Sequence, residues 1–244
     1  MKYIKLFENF EGYDPYELMI IPPNKKAEMI VSELEKRKPN LNLVNDLVVL
    51  GANLDWQDED GWTALHSCAY YNRPEIARML IDAGADVNIQ NNDGWTALHR
   101  CADWNRLEIA RMLIDAEADL NIQGNRGSTA LYQCVMYNRP EIARMLIDAG
   151  ADVNIQNNDG WTALHRCADW NHPEIARMLI DAGADLNIQR NDGWTALHLC
   201  AWYNHQEITR MLLDAGADKT ISNNEGTLPY ELAKTQELKK LLKP

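Results

Sequence analysis

The chain has 244 residues, of which 46% are hydrophobic and 25% charged, which is the composition of a folded globular protein and not of a disordered segment. Lysine and arginine number 24 against 36 aspartate and glutamate residues, so the formal net charge of −12 disfavours binding to a nucleic-acid duplex or to an anionic membrane. The first residues lack the apolar stretch of a secretory signal, and no apolar run of about 18 residues follows, so we expect a cytoplasmic protein.

Residues 1–27 form a predicted N-terminal extension. Its segment K-Y-I-K-L-F-E-N-F, at residues 2–10, resembles N-terminal segments of phage-encoded and marine bacterial proteins, which implies a phage protein acting in the host cytoplasm. An amphipathic charged stretch follows, and then L-G-A-N-L-D, in which Gly51 lies one repeat step before Gly84. We therefore predict an N-terminal capping repeat over residues 28–60.

A period of 33 residues organises the chain from residue 61 onwards. Six glycines keep this step, and the first five each open a G-W/S-T-A-L-H/Y block: Gly61, Gly94, Gly127, Gly160, Gly193 and Gly226. The motif T-A-L-H-x-C-A resembles the T-P-L-H-x-A signature of ankyrin repeats, with Ala in place of the usual Pro. The resemblance implies five full repeats over residues 61–225, followed by a C-terminal capping repeat over residues 226–244.

The apolar spacing predicts two short helices in each repeat. In the second repeat, the first helix runs over residues 96–104 and ends at Asn105 in a left-handed conformation. In the first repeat, the second helix runs over about residues 75–82, with Gly84 as its cap. Neither helix can bury its apolar stripe alone, so we predict an all-α ankyrin-repeat solenoid of stacked helix-turn-helix units with connecting β-hairpin-like loops. Glu117 replaces the capping glycine once, and we expect it to take a positive φ at a cost of roughly 1 kcal/mol.

The recurring histidines and cysteines suggest a metal site at first sight. Each of four histidines lies two residues before a cysteine: His66, His99, His165 and His198. Side chains at i and i+2 of a helix point in nearly opposite directions, so one such pair cannot chelate a metal. The ankyrin resemblance implies that each histidine hydrogen-bonds to the threonine three residues earlier and to backbone, while the five cysteines are buried free thiols. Tyr132 replaces the histidine once, so the hydrogen bonds there must differ.

The resemblance also implies where a partner binds. These places are the residue after each repeat glycine and the last two residues of each first helix, which form an aromatic-rich concave surface. The predicted partner-binding residues are Trp62, Trp95, Trp161 and Trp194 at the hairpins; Tyr70, Tyr71, Asp103, Trp104, Met136, Tyr137, Asp169, Trp170, Trp202 and Tyr203 at the helix ends; and Arg100, Arg126 and Arg166 beside them. For the hairpin tryptophans, packing against a neighbouring hairpin is an equal alternative.

Two irregularities qualify that surface. Residues 71–105 are identical to residues 137–171, which indicates duplication of a two-repeat unit, so matching residues in the two copies are not independent evidence of a role. The third repeat differs from the others, which predicts a remodelled partner-facing surface in the middle of the groove; its distinctive residues are Ser128, Tyr132, Gln133, Val135 and Met136.

No catalytic motif is present: there is no phosphate-binding loop, nucleophile elbow or H-E-x-x-H sequence. We predict a non-enzymatic protein without catalytic residues, metal or cofactor, which binds another protein and is a monomer. A phage protein that inhibits a host antiviral defence factor is the specific hypothesis. Two alternatives stay open, namely sequestration of a nucleotide-like small molecule by the tryptophans and arginines, and a structural role in a larger assembly.

Overall fold

The computed structural model describes residues 15–244 as short helices joined by turns, with no strand among them. The chain divides into two compact units, unit 1 up to residue 119 and unit 2 from residue 120. The helices of unit 1 are α1 (Pro15–Ile20), α2 (Pro23–Glu35), α3 (Leu41–Val49), α4 (Ala64–Tyr71), α5 (Pro74–Asp82), α6 (Ala97–Trp104) and α7 (Leu107–Asp115). The helices of unit 2 are α8 (Ala130–Met136), α9 (Pro140–Asp148), α10 (Ala163–Trp170), α11 (Pro173–Asp181), α12 (Ala196–Tyr203), α13 (Gln206–Asp214), α14 (Pro229–Leu232) and α15 (Gln236–Leu242).

Local signals set the ends of these helices. Helix α6 begins after Thr96, whose side chain and backbone are bonded to the third helical residue, and ends at Asn105 with a φ of 55°. Helix α5 has Pro74 at its first position, where a missing N–H costs nothing, and the chain after it turns at Gly84 with a φ of 89°. The predicted bounds of both helices are therefore confirmed.

Glu117 adopts the left-handed conformation that its position predicts, with a φ of 59°. Glycine occupies this position in other repeats, as at Gly84, where an added Cβ would meet no atom within 4 Å. The cost of a side chain at this turn is therefore conformational and not a steric clash with neighbouring groups.

Within each unit, like helices pack on like helices. In unit 1, α4 lies between α2 and α6, and α5 lies between α3 and α7; in unit 2, α10 lies between α8 and α12, and α11 between α9 and α13. Leucines and isoleucines of both rows are at most 1% exposed, among them Leu65, Ile76, Leu98 and Ile109. The second helices thus bury the apolar stripe that none of them could bury alone.

The two ends of the chain relate differently to the predicted domain boundaries. Helix α2 begins at Pro23, before the predicted start of the capping repeat at residue 28, while α14 and α15 both lie within the predicted C-terminal capping repeat, residues 226–244. The division into extension, caps and full repeats stays a prediction. Residues 2–10, which carry the resemblance to phage and marine bacterial proteins, lie outside the described residues. No helix from residue 15 to the end has the length and apolar character needed to cross a bilayer.

Candidate functional site

Buried histidines connect the hairpins of successive repeats. The Nδ1 atom of His66 accepts a hydrogen bond from the backbone N–H of Thr63 at 3.1 Å, and its Nε2 lies 2.7 Å from the carbonyl oxygen of Trp95. These contacts require the neutral tautomer that carries its proton on Nε2. Burial lowers the pKa of His66 to about 4, and His165 has the same arrangement and the same pKa. The bridging role that the repeat resemblance implies is confirmed.

The hairpin tryptophans of unit 1 pack around an arginine of the same unit. The guanidinium carbon of Arg100 lies 4.5 Å from the ring centroids of both Trp62 and Trp95. Arg100 also lies 3.7 Å from the carboxylates of Asp93 and Asp103. Its side chain is only 14% exposed, so the stack with the two rings is largely internal.

Unit 2 has a longer stack of the same kind. Arg166 lies 3.8 Å from the ring of Trp161, and Arg190 lies 4.1 Å from that ring and 5.4 Å from the ring of Trp194. Arg190 also pairs with Asp192. Arg190 is not among the partner-binding residues predicted from the sequence. The sequence does distinguish this position, because Arg190 replaces the asparagine found 33 residues earlier in the preceding hairpin, Asn157.

The first-helix ends of unit 1 carry exposed aromatic side chains in mutual contact. Tyr70 and Trp104 are 39% and 43% exposed, and their ring centroids are 5.1 Å apart. Tyr70 also contacts Tyr71 at 4.9 Å and the half-buried Trp62 at 5.6 Å, in both cases edge to face. We call these four residues, Trp62, Tyr70, Tyr71 and Trp104, the unit 1 aromatic strip.

The equivalent helix ends of unit 2 are also aromatic and exposed. Tyr137, Trp170, Trp202 and Tyr203 are between 43% and 48% exposed. Trp202 lies edge-on to Trp194, and the amino group of Lys234 lies 4.8 Å from its ring centroid. We call these four exposed residues the unit 2 aromatic group.

Comparison with known proteins identifies the repeat. A family model described as ankyrin repeats (3 copies) matches residues 29–124, 114–190 and 131–223. The chain belongs to the ankyrin-repeat family. A crystal structure of the ankyrin-repeat domain of Bcl-3, described as a unique member of the IkappaB protein family, has a TM-score of 0.80 at 26% identity, over 96% of this chain and 100% of that one. Comparison with curated protein sequences gives no significant match.

The family establishes the general character of the protein. The fold is the all-α ankyrin-repeat architecture that the repeat motif predicts, and ankyrin repeats are protein-interaction modules without catalytic function. No enzymatic family is indicated. The fold occurs in 609 matching solved chains, so it does not by itself select a partner.

The third ankyrin repeat corrects one prediction. Four of its five distinctive side chains are buried, so they do not remodel an exposed surface: Ser128, Tyr132, Gln133 and Val135. The hydroxyl of Tyr132 accepts a hydrogen bond from Arg166 Nε at 2.6 Å and one from Asn157 at 3.3 Å. A phenol thus replaces the histidine bridge, because it is long enough to reach the next ankyrin repeat. Met136 alone of the five is half-buried.

The charged residues predicted to face a partner are largely occupied within their own ankyrin repeats. Arg166 bonds to Asp169 at 3.0 Å, and the two side chains are 21% and 10% exposed. Arg100 and Asp103 form the equivalent pair in unit 1, and their side chains are 14% and 15% exposed. Arg126 differs, since it is exposed at its hairpin. This arrangement leaves few guanidinium groups for the phosphates of a nucleotide-like ligand.

The cysteines of the ankyrin repeats are buried free thiols, as the resemblance implies: Cys68, Cys101, Cys134, Cys167 and Cys200. Burial raises the pKa of the Cys200 thiol to about 12 and raises that of Cys68, Cys101 and Cys167 as well, so these sulfurs are unreactive. Between residues 15 and 244, no three His, Cys, Asp or Glu side chains lie together as a metal site requires.

Proposed function

We propose that the chain binds a partner protein through the exposed aromatic side chains at the ends of its first helices. The main observation is that these rings are exposed to solvent, whereas most other apolar side chains of the same helices are buried. On helix α6, for example, Leu98 and Cys101 are at most 1% exposed, while Trp104 at the end of the same helix is 43% exposed. Tyr70, Tyr137, Trp170, Trp202 and Tyr203 repeat this pattern.

The free energy available from these rings supports a binding role. A tryptophan or tyrosine presents roughly 200 Å² of side-chain surface, so an exposure near 43% leaves about 85 Å² per ring. Covering that area stabilises a complex by about 2 kcal/mol per ring at about 25 cal/mol/Å². Such rings also lose little conformational entropy on binding, which is why tryptophan and tyrosine dominate interface hot spots.

The hairpin tryptophans play a different part in this proposal. Trp62, Trp95, Trp161 and Trp194 are half-buried and stack on arginines of their own unit, so ladder packing is their main role. Two of them also contact helix-end rings, namely Trp62 with Tyr70 at 5.6 Å and Trp194 with Trp202 at 5.9 Å. We assign partner contact first to the helix ends and only secondarily to the hairpins.

A quantitative pull-down tests the proposal. Tagged wild type, a Trp104→Ala, Trp170→Ala, Trp202→Ala triple variant and a Leu107→Ala control are incubated with lysate of the native host. Leu107 is a suitable control because it is 41% exposed but lies on a second helix. We expect at least one protein to be recovered with wild type and control and lost with the triple variant, whose far-UV circular dichroism must match that of wild type. Equal recovery by all three proteins would refute the aromatic surface.

The identity of the recovered protein also decides the finer hypotheses. A host defence factor among proteins lost with the triple variant would support the phage inhibitor hypothesis, which rests on residues 2–10. Native mass spectrometry of the purified protein addresses nucleotide sequestration, because a bound small molecule adds a discrete mass. A monomer and a cytoplasmic location stay predictions, and light scattering measures the first of them.

A further inference from the structure

The unit 1 aromatic strip is bordered by carboxylates at its hairpin end. There Glu59, Asp60 and Asp93 are exposed, and Trp62 lies two residues after Asp60 in the chain. At the Tyr71 end, the single carboxylate of Glu35 is followed by the exposed cations Lys36, Arg37 and Lys38. Negative charge therefore borders the strip on the hairpin side alone.

The two arginines nearest to Tyr70 and Trp104 are held by internal contacts. Arg100 is enclosed between two tryptophan rings and lies near two carboxylates. Arg106 donates hydrogen bonds to the carbonyl oxygens of Ala69 and Tyr70 at 3.0 and 3.1 Å, where it neutralises the end of helix α4. The hairpin tips of unit 1, residues 57–62 and 90–95, carry acidic residues and no lysine or arginine.

The chain itself shows what its aromatic rings accept. Arg100 lies over Trp62 and Trp95, and in unit 2 Lys234 lies over the exposed ring of Trp202 at 4.8 Å. A cation over the face of a tryptophan or tyrosine contributes about 0.5–2 kcal/mol, and a neighbouring carboxylate adds to it. Aromatic faces bordered by acidic groups therefore match the side chains of arginine and lysine.

We propose that the unit 1 aromatic strip receives a basic segment of the partner protein, whose arginine or lysine side chains lie on the rings of Tyr70 and Trp104 and pair with Glu59 and Asp60 at the hairpin end. This inference rests on the proposed function, since it names the chemistry of the segment that the helix ends bind. The net charge of −12 favours the approach of such a segment over that of an acidic one.

A defined peptide tests this chemistry without knowledge of the partner. The probe is a fluorescein-labelled peptide of five Arg-Gly-Ser repeats, and its control has citrulline in place of each arginine, which keeps the planar shape and removes the charge. Fluorescence anisotropy measures binding to the full chain at low and moderate salt. We expect the arginine peptide to bind at least about tenfold more tightly than the citrulline peptide, with weaker binding as salt is raised.

Variants then locate the bound peptide. We expect Trp104→Ala to weaken binding of the arginine peptide about tenfold, while Trp104→Phe restores part of the affinity and Leu107→Ala leaves it unchanged. Glu59→Gln with Asp60→Asn should weaken binding more than an equal loss of charge on helix α5, made with Glu75→Gln and Asp82→Asn; all four carboxylates are exposed.

Three outcomes would overturn the inference. They are equal binding of the arginine and citrulline peptides, no effect of Trp104→Ala, and equal weakening by the two pairs of charge variants. The proposed function has its own readout, because it depends on a protein that the aromatic triple variant no longer recovers. If such a protein is found and the arginine peptide does not displace it, the aromatic surface stands and the basic segment is wrong.

Discussion

Mild acid should destabilise this protein through its buried histidines. The two best-defined are His66 and His165, one in each unit, whose pKa burial lowers to about 4 from an ordinary value of 6.5. A lowered pKa means that the unfolded chain takes up the proton first. The stability that the neutral histidine provides is therefore complete above pH 6.5 and is lost as the pH falls from 6.5 towards 4.

The magnitude follows from the two pKa values. Between pH 7.5 and pH 5, each of these histidines loses about 2 kcal/mol of stabilisation, and the pair loses about 4 kcal/mol. At an m value of about 3 kcal/mol/M, this lowers the urea midpoint by about 1.3 M. The physical cause is that a second proton, on Nδ1, removes the acceptor for the N–H of Thr63 or Thr162 and places a charge in a buried site.

Urea denaturation followed by far-UV circular dichroism at pH 7.5 and pH 5 measures the effect. The matched variant is His66→Gln with His165→Gln. Glutamine at the third helical position can still accept a hydrogen bond from the backbone N–H of the threonine that precedes the helix, but it does not titrate. We expect the variant to be less stable than wild type at pH 7.5 and less sensitive to the change to pH 5. The reasoning is refuted if both proteins lose the same free energy of unfolding between the two pH values.

Three further predictions concern single positions. Glu117→Gly should stabilise the protein by roughly 1 kcal/mol because glycine adopts the left-handed φ without strain, and Gly84→Glu should destabilise it by a similar amount. A lower melting temperature for Glu117→Gly, or a higher one for Gly84→Glu, would contradict this prediction. Tyr132→Phe should cost about 1–3 kcal/mol because it leaves the partly buried Nε of Arg166 without its acceptor, and an unchanged urea midpoint would show that the hydrogen bond is unimportant. His172→Arg should stabilise unit 2 by about 1 kcal/mol. Among the described residues, Nε2 of His172 is buried without a hydrogen-bond partner, whereas the arginine at the equivalent position Arg106 donates to a carbonyl oxygen at the end of a first helix. A lower melting temperature of the variant in calorimetry would contradict this prediction.

The positions of the helices were predictable because their signals are local. Thr96 and Asn105 lie at the two ends of one helix, and both act through hydrogen bonds or dihedral angles of the adjacent chain. Glu117 illustrates the same point, since its positive φ follows from the glycine at equivalent turns and needs no knowledge of its neighbours. The histidine bridge was predicted by the ankyrin resemblance, because His66 and its counterparts occupy the histidine position of the repeat motif.

The environment of the third repeat was not predictable from the same pattern. Difference from the other repeats suggested a remodelled surface, but Tyr132 is 5% exposed and its hydroxyl reaches Arg166 in the next repeat. A substitution reports only that the environment of a residue differs, and not whether that environment is solvent or core. Arg190 was missed for the related reason that its partner rings come from two hairpins.

The sequence by itself determined the repeat, the helix pairs and their caps, because each depends on residues close together in the chain. Only the tertiary structure decided which aromatic side chains remain open to a partner. Trp62 and Trp104 are both rings predicted to bind, yet Trp62 packs under Arg100 of the following repeat, while Trp104 touches its neighbour Tyr70 edge-on and keeps 43% of its surface exposed. That difference arises from side chains some forty residues away, which stacking of the repeats brings into contact.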